Sequence, residues 1–238
     1  METVPAYRYD HFAARHMRTD LRFDPASPAP GDALPILDLE TTAGYRITVS
    51  SLDRPHLFVF GSRTCPMTVS ARDGLHKLHG QFGDAIRFVL VQVREAHPGE
   101  LIPQPSSFAQ KREHATRLKT ELEIPFDVAV DDIDGSFHRS LDPKPNAAYL
   151  VGTDGVILFR SQWASDVDGL RAALDAVAHG RPLKRTQSRR MVGPMMAALG
   201  YVHDVVGRGG PRARRDLLRA APPMAAAGRL AVLFRRAR

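Results

Sequence analysis

Two hydrophobic periods alternate along the middle of the chain. "HLFVFG" (His56 to Gly61) is an unbroken apolar run closed by turn residues, the pattern of a strand buried on both faces. From Pro66 the apolar positions fall at Met67, Val69, Leu75, Leu78 and Phe82, which suits a helix, and "IRFVLVQV" (Ile86 to Val93) returns to strand. Strand, helix and strand in that order predict a βαβ unit whose parallel strands end side by side. The segments leaving those ends, "SRTCP" and "REAHP", therefore meet at one edge of the sheet, where open α/β sheets place their sites.

The flanks extend this unit. "LPILDLE" and "YRITVSSL" around the turn "TTAG" predict a hairpin ahead of the main sheet. "SSFAQKREHATRLKTELEI" (Ser106 to Ile124) predicts a capped helix, "PFDVAV" (Pro125 to Val130) a short strand, and "DDIDGSFHRSLD" a turn into a short helix. "NAAYLVGTDGVILFR" (Asn146 to Arg160) predicts a hairpin about Thr-Asp-Gly, and Ser165 to Gly180 a closing helix with Ser165 as its N-cap. The order resembles a thioredoxin-like α/β fold: a central mixed sheet flanked by helices, with an N-terminal β-hairpin extension and a basic helical C-terminal tail. Residues 1–32 are expected as a loosely held lead-in and linker, 33–180 as the thioredoxin-like domain, and 181–238 as the tail.

Charge and cysteine usage narrow the picture. The formal net charge is +7, but from Arg181 onward fourteen Lys or Arg face two acids, Asp204 and Asp216. The tail thus carries +12 and the first 180 residues −5. One cysteine among 238 residues excludes an intramolecular disulfide. "METVPAYRYDHFAARHMRTD" lacks the apolar core of a secretory signal, and no uncharged run reaches the roughly 18 residues of a membrane span, so a cytoplasmic, reducing setting is expected.

The lone cysteine, Cys65, lies in a polar turn between the predicted strand and helix rather than inside an apolar run. At a helix N-terminus, unpaired backbone N–H groups and the helix dipole favour a thiolate, and Pro66 suits the first helical position because it gives up no needed N–H. Ser62 and Thr64 supply hydroxyls to donate to the sulfur or orient a substrate. Glu95 and His97, from the neighbouring strand end, are expected beside it as a proton-handling pair. His76 and His79 lack a third ligand of matching spacing and are expected on a solvated face; "DDIDG" is expected as a plain turn, and Trp163 as packing.

"FGSRTCPM" followed about thirty residues later by "VREAHP" resembles the iodothyronine deiodinase family, whose pattern is Phe-Gly-Ser-x-Thr, selenocysteine or cysteine, Pro, and later Glu-Ala-His-Pro. The likeness runs from about Leu34 to His179. It implies a thioredoxin fold, reductive removal of halogen from a phenolic ring, an external thiol reductant with no bound cofactor or metal, and often a homodimer. By position it makes Cys65 the nucleophile, Thr64 and Ser62 its neighbours, and Glu95 with His97 the substrate and proton-handling pair. Cys65 stands where the animal enzymes carry selenocysteine, the family's second histidine falls near Ser106 with His114 the nearest substitute, and the family's membrane anchor has no counterpart. Pro145 or Asn146 falls where thioredoxin folds keep a cis-proline.

Two alternatives stand beside this one. A single-Cys peroxiredoxin-like peroxidase is the first, with Ser62 at the hydroxyl position of the peroxiredoxin pattern but Phe58 at its proline position. The other is a non-catalytic thioredoxin-like module working through its tail. With one cysteine, either enzyme passes its oxidised sulfur to thioredoxin or a low-molecular-weight thiol. In the tail, "MMAALGYVHDVV" and "GRLAVLFRRAR" read as amphipathic helices that dock on the domain or meet an anionic membrane surface, giving a membrane-peripheral protein. Nucleic acid is the less favoured partner, because the tail offers few aromatic side chains for stacking.

Overall fold

The computed structural model describes residues 7–22, 24–184 and 186–236, with side chains as far as residue 232. It begins with helix α1 (Ala14–Leu21), strands β1 (Asp38–Thr41) and β2 (Arg46–Thr48), a 3-10 turn, β3 (His56–Gly61), α2 (Pro66–Phe82), β4 (Arg87–Gln92), α3 (Phe108–Glu121) and β5 (Asp127–Val130). There follow α4 (Ser136–Ser140), the hairpin β6 (Ala148–Val151) and β7 (Ile157–Ser161), α5 (Val167–Ala178) and β8 (Gln187–Ser188). Three tail helices close the chain: α6 (Val192–Arg208), α7 (Pro211–Ala220) and α8 (Pro222–Arg236).

The apolar run is β3, and every one of its residues is buried. It lies mid-sheet, parallel to β4 and antiparallel to β6, in the order β2-β1-β5-β4-β3-β6-β7-β8. Successive side chains alternate faces, so Leu57 and Val59 enter one core with residues of α2, α3 and α5, while Phe58 and Phe60 enter a second with Phe137 of α4 and Tyr149 of β6. Truncating such a side chain costs the transfer energy and a cavity together, roughly 3–5 kcal/mol for Phe60→Ala. A βαβ unit of β3, α2 and β4, a further helix and parallel strand, and then a β-hairpin and helix form a thioredoxin-like fold, with β1 and β2 as the predicted N-terminal hairpin.

One cap differs from expectation. The carboxylate of Asp166, not the hydroxyl of Ser165, caps α5 by accepting the Gly169 N–H at 3.4 Å. A carboxylate there also gains from the helix dipole.

The two ends of the chain converge on the C-terminal edge of β3 and β4. Tyr9 donates through its hydroxyl to the Ala96 carbonyl at 2.9 Å, Asp20 of α1 pairs with buried Arg94 at 3.0 Å, and Lys144 donates to the Thr19 carbonyl at 2.7 Å. The lead-in, expected to be loose, is anchored by polar groups that would be costly to strand in the interior. From the other end, the Leu101 N–H donates to the Gly209 carbonyl at 3.0 Å, and the Glu100 carboxylate takes the Arg212 N–H at 2.9 Å at the positive end of α7. Tyr9 and Phe12 then share an apolar cluster with Val202, Val206 and Leu217. No helix among the described residues is long and apolar enough to cross a membrane.

Candidate functional site

Cys65 is the N-cap residue of α2 and Pro66 its first helical residue, as the sequence predicts. Gly61 sets the approach of this turn to the sheet: a Cβ at that position would lie 2.8 Å from Thr68 Cγ2. Thr68 in turn accepts the Ser62 N–H at 3.3 Å, tying the first turn of α2 to the end of β3.

The thiolate expectation is corrected. Cys65 is 1% exposed, and burial pushes its thiol up to about 11, against the hydroxyl and N–H of Thr68 and the N–H of Met67, which pull it down. Asp20 adds a further upward push. Loss of hydration outweighs the helix N-terminus, so the resting sulfur is a protonated thiol. The hydroxyl beside it is that of Thr68, which the sequence did not single out; those of Thr64 and Ser62 are used elsewhere.

Thr64 serves Glu95. Its N–H and hydroxyl donate to Glu95 Oε2 at 2.9 and 2.7 Å, while Gln92 donates to Oε1 at 3.1 Å and His114 Nδ1 lies 2.9 Å from the same oxygen. Gln104 spans the Glu95 backbone, accepting its N–H at 3.0 Å and donating to its carbonyl at 2.8 Å. Burial alone would raise the pKa of this fully buried carboxyl; the His114 and Thr64 donors outweigh it and hold it below the ordinary value. Ser62 Oγ accepts the Ala96 N–H at 3.3 Å, and Thr64 Oγ1 accepts the His97 N–H at 3.1 Å. The turn after β3 and the turn after β4 are thus stitched together, as the βαβ geometry requires.

The predicted Glu95 and His97 pair does not form: the imidazole on Glu95 is that of His114, on α3. His97 packs its ring 4.3 Å from that of Phe12, is 8% exposed, and has no partner for Nδ1 among the described residues. Desolvation lowers its pKa to about 4, so it is neutral near pH 7.

Cys65 and His97 both line a cavity of about 90 Å³. Its remaining wall comes largely from the two ends of the chain: Phe12, Met17 and Leu21 from the lead-in, Met195 and Leu199 from α6, and Met224 from α8. Asp20 is the lining carboxylate, already paired with Arg94, and Trp163 lines the wall while its indole N–H donates to Met191 Sδ at 3.2 Å. Pro145 faces the same space, and its peptide bond is trans, as are all peptide bonds among the described residues. The expected solvated face at His79 is also corrected, since its ring packs between Phe88 and Phe126. Asp131 and Asp132 of the "DDIDG" turn accept the first amides of α4.

No protein-family model matches this chain, and no curated protein matches it. Among solved structures, an uncharacterized conserved protein from Geobacillus kaustophilus is similar with a TM-score of 0.51 at 18% identity, over 67% of this chain and 87% of its own. A hypothetical protein from Sinorhizobium meliloti gives 0.50 at 19% identity, over 68% and 90%. A peroxidoxin from Mycobacterium tuberculosis gives 0.49 at 14%, over 63% and 98%. At these identities the first two show a shared fold and nothing finer.

Proposed function

We propose that this protein is a thiol-dependent oxidoreductase for an apolar small molecule, and that its reaction is the reductive removal of halogen from a phenolic ring. The observation that carries this reading is the pairing, on one apolar cavity, of the chain's only thiol with a neutral imidazole whose Nδ1 has no hydrogen-bond partner among the described residues. A ring with one hydroxyl matches that lining: the wall takes the ring, and His97 takes the hydroxyl. The deiodinase-like motifs around Cys65 and His97 point the same way.

The thiol has to give up its proton as the sulfur attacks, because the thiolate is the nucleophile, and that proton balances the one the ring carbon takes up. Sulfur attacks the halogen, the carbon–halogen bond breaks, and the ring carbon takes up a proton, so that thiol and aryl halide become sulfenyl halide and arene with atoms and electrons balanced. An external thiol then displaces halide to form a mixed disulfide, and a second thiol restores Cys65. Glu95, Thr64 and Ser62 act as positioning residues: they hold the two turns that carry Cys65 and His97 and do not touch the sulfur. Peroxide is the weaker substrate, because the cavity wall is mostly apolar and nearby Arg94 is engaged by Asp20 and the Pro143 carbonyl.

The test is a side-by-side assay of 2,6-diiodophenol and hydrogen peroxide with dithiothreitol as reductant. Iodide release should fall by about 1000-fold or more in Cys65→Ser. Rapid peroxide consumption with inert iodophenol would overturn the dehalogenase reading in favour of a peroxidase.

A further inference from the structure

The tail has an inner and an outer side. Its inner side walls the Cys65 cavity through Met195, Leu199 and Met224. A second and smaller cleft between α6, α7 and α8, which shares Val202 with the first, brings together His203 and the exposed Arg214, Leu218 and Arg229. Among the described residues neither Arg214 nor Arg229 has an acidic partner, and both are exposed. The Arg214 guanidinium lies directly over Gly207 of α6, in space that a Cβ there would occupy. One tail acid, Asp216, is turned inward onto His11 at 2.9 Å, which leaves Asp204 as the one exposed acid on these helices.

Exposed apolar side chains accompany the charge. Leu218 and Leu230 are 47% and 54% exposed, Val192 and Met196 at the start of α6 are 77% and 63%, and Arg215 and Arg219 flank Leu218. Arginines with no acidic partner among the described residues, with exposed Leu218 in the same cleft, fit a surface that offers both anionic groups and hydrocarbon. We propose that the outer side of α6 to α8 docks on an anionic membrane surface, with Arg214 and Arg229 meeting lipid phosphates and Leu218 entering the interface. A nucleic acid fits less well, since it offers phosphate but nothing to cover these aliphatic side chains. Docking would set the helices that wall the Cys65 cavity against the bilayer, which is a reservoir of apolar ring compounds. The docking itself does not rest on the chemistry of Cys65.

Sedimentation of the full chain with phosphatidylcholine vesicles, with and without one-third phosphatidylglycerol, at 150 mM salt tests this. Wild type and Cys65→Ser should both partition onto the anionic vesicles and not the neutral ones. The R214Q/R229Q double variant should lose roughly twentyfold in partition, while R214K/R229K, which keeps the charge, stays within about threefold of wild type. Unchanged melting temperatures would show that the variants fold. Leu218→Ser, with the charges intact, should also weaken binding. Equal sedimentation with both vesicle types, an R214Q/R229Q variant that binds like wild type, or tighter binding to a duplex oligonucleotide at the same salt would each overturn the proposal.

Discussion

Glu95 and His97 stand two residues apart on one turn and meet opposite conditions. The Glu95 side chain is satisfied on both oxygens, by Thr64, Gln92 and His114. His97 is nearly as cut off from water, at 8% exposed against 0%, yet its Nδ1 has no hydrogen-bond partner among the described residues and the residue borders a cavity with Cys65. A buried polar group without a partner is expensive, so its persistence beside a thiol points to a ligand that completes it. One residue of the motif holds the two turns in place, and the other is left for the substrate.

The largest expected break in this contrast comes from Glu95. Glu95→Ala strands His114, Thr64 and Gln92 in the interior and should cost about 3 kcal/mol or more in urea denaturation. His114→Ala should cost a similar amount, and the double variant much less than their sum, because both act through one network. An additive double variant would show that the network does not behave as a unit. His97→Phe should change stability by less than about 1 kcal/mol, since it replaces an unsatisfied imidazole with a ring of similar shape, yet lower dehalogenation about 100-fold. Equal loss of stability at the two positions would erase the distinction.

A smaller effect is expected on acidification. The folded protein holds His97 and His16 at about 4, below their ordinary 6.5, and His138 well below it, first through burial, with Arg94 adding to it at His16 and His138. The unfolded chain therefore binds protons first as pH falls, and stability declines between about pH 6.5 and 4. Glu95, whose folded pKa is depressed, contributes stability that is complete above its ordinary 4.5 and is lost as pH falls through the folded value. His97→Phe should flatten the upper part of this decline without altering the part due to Glu95, as read from chemical denaturation at stepped pH.

Much of the sheet was legible because most of its strands announce themselves locally; β8, two residues paired with β7 at the edge, does not. "HLFVFG" matches β3 residue for residue, and the Thr-Asp-Gly turn joins β6 to β7 with Gly155 at φ +77°. The meeting of the Cys65 and Glu95 turns followed from βαβ geometry alone. The protonation of Cys65 was not legible, because helix position is a local property while the cavity it lines is walled by residues as distant in sequence as Phe12, Met195 and Met224. The partner of Glu95 was hidden for a related reason. His114 sits mid-helix on α3, and only the packing of α3 beside β4 brings it to the carboxylate. A faint signal was available in the sequence: His114, Ala115 and Leu118 share the buried side of α3.

The most direct measurement is a single turnover without external reductant. Pre-reduced protein is mixed with excess 2,6-diiodophenol, and free iodide is counted against intact Cys65 thiol. Water hydrolyses the sulfenyl iodide to a sulfenic acid and iodide, so the account predicts a stoichiometric burst of roughly one iodide per chain, matched by loss of the thiol and absent in Cys65→Ser. Iodide released by Cys65→Ser, or no burst from wild-type protein that has bound the phenol, would contradict it.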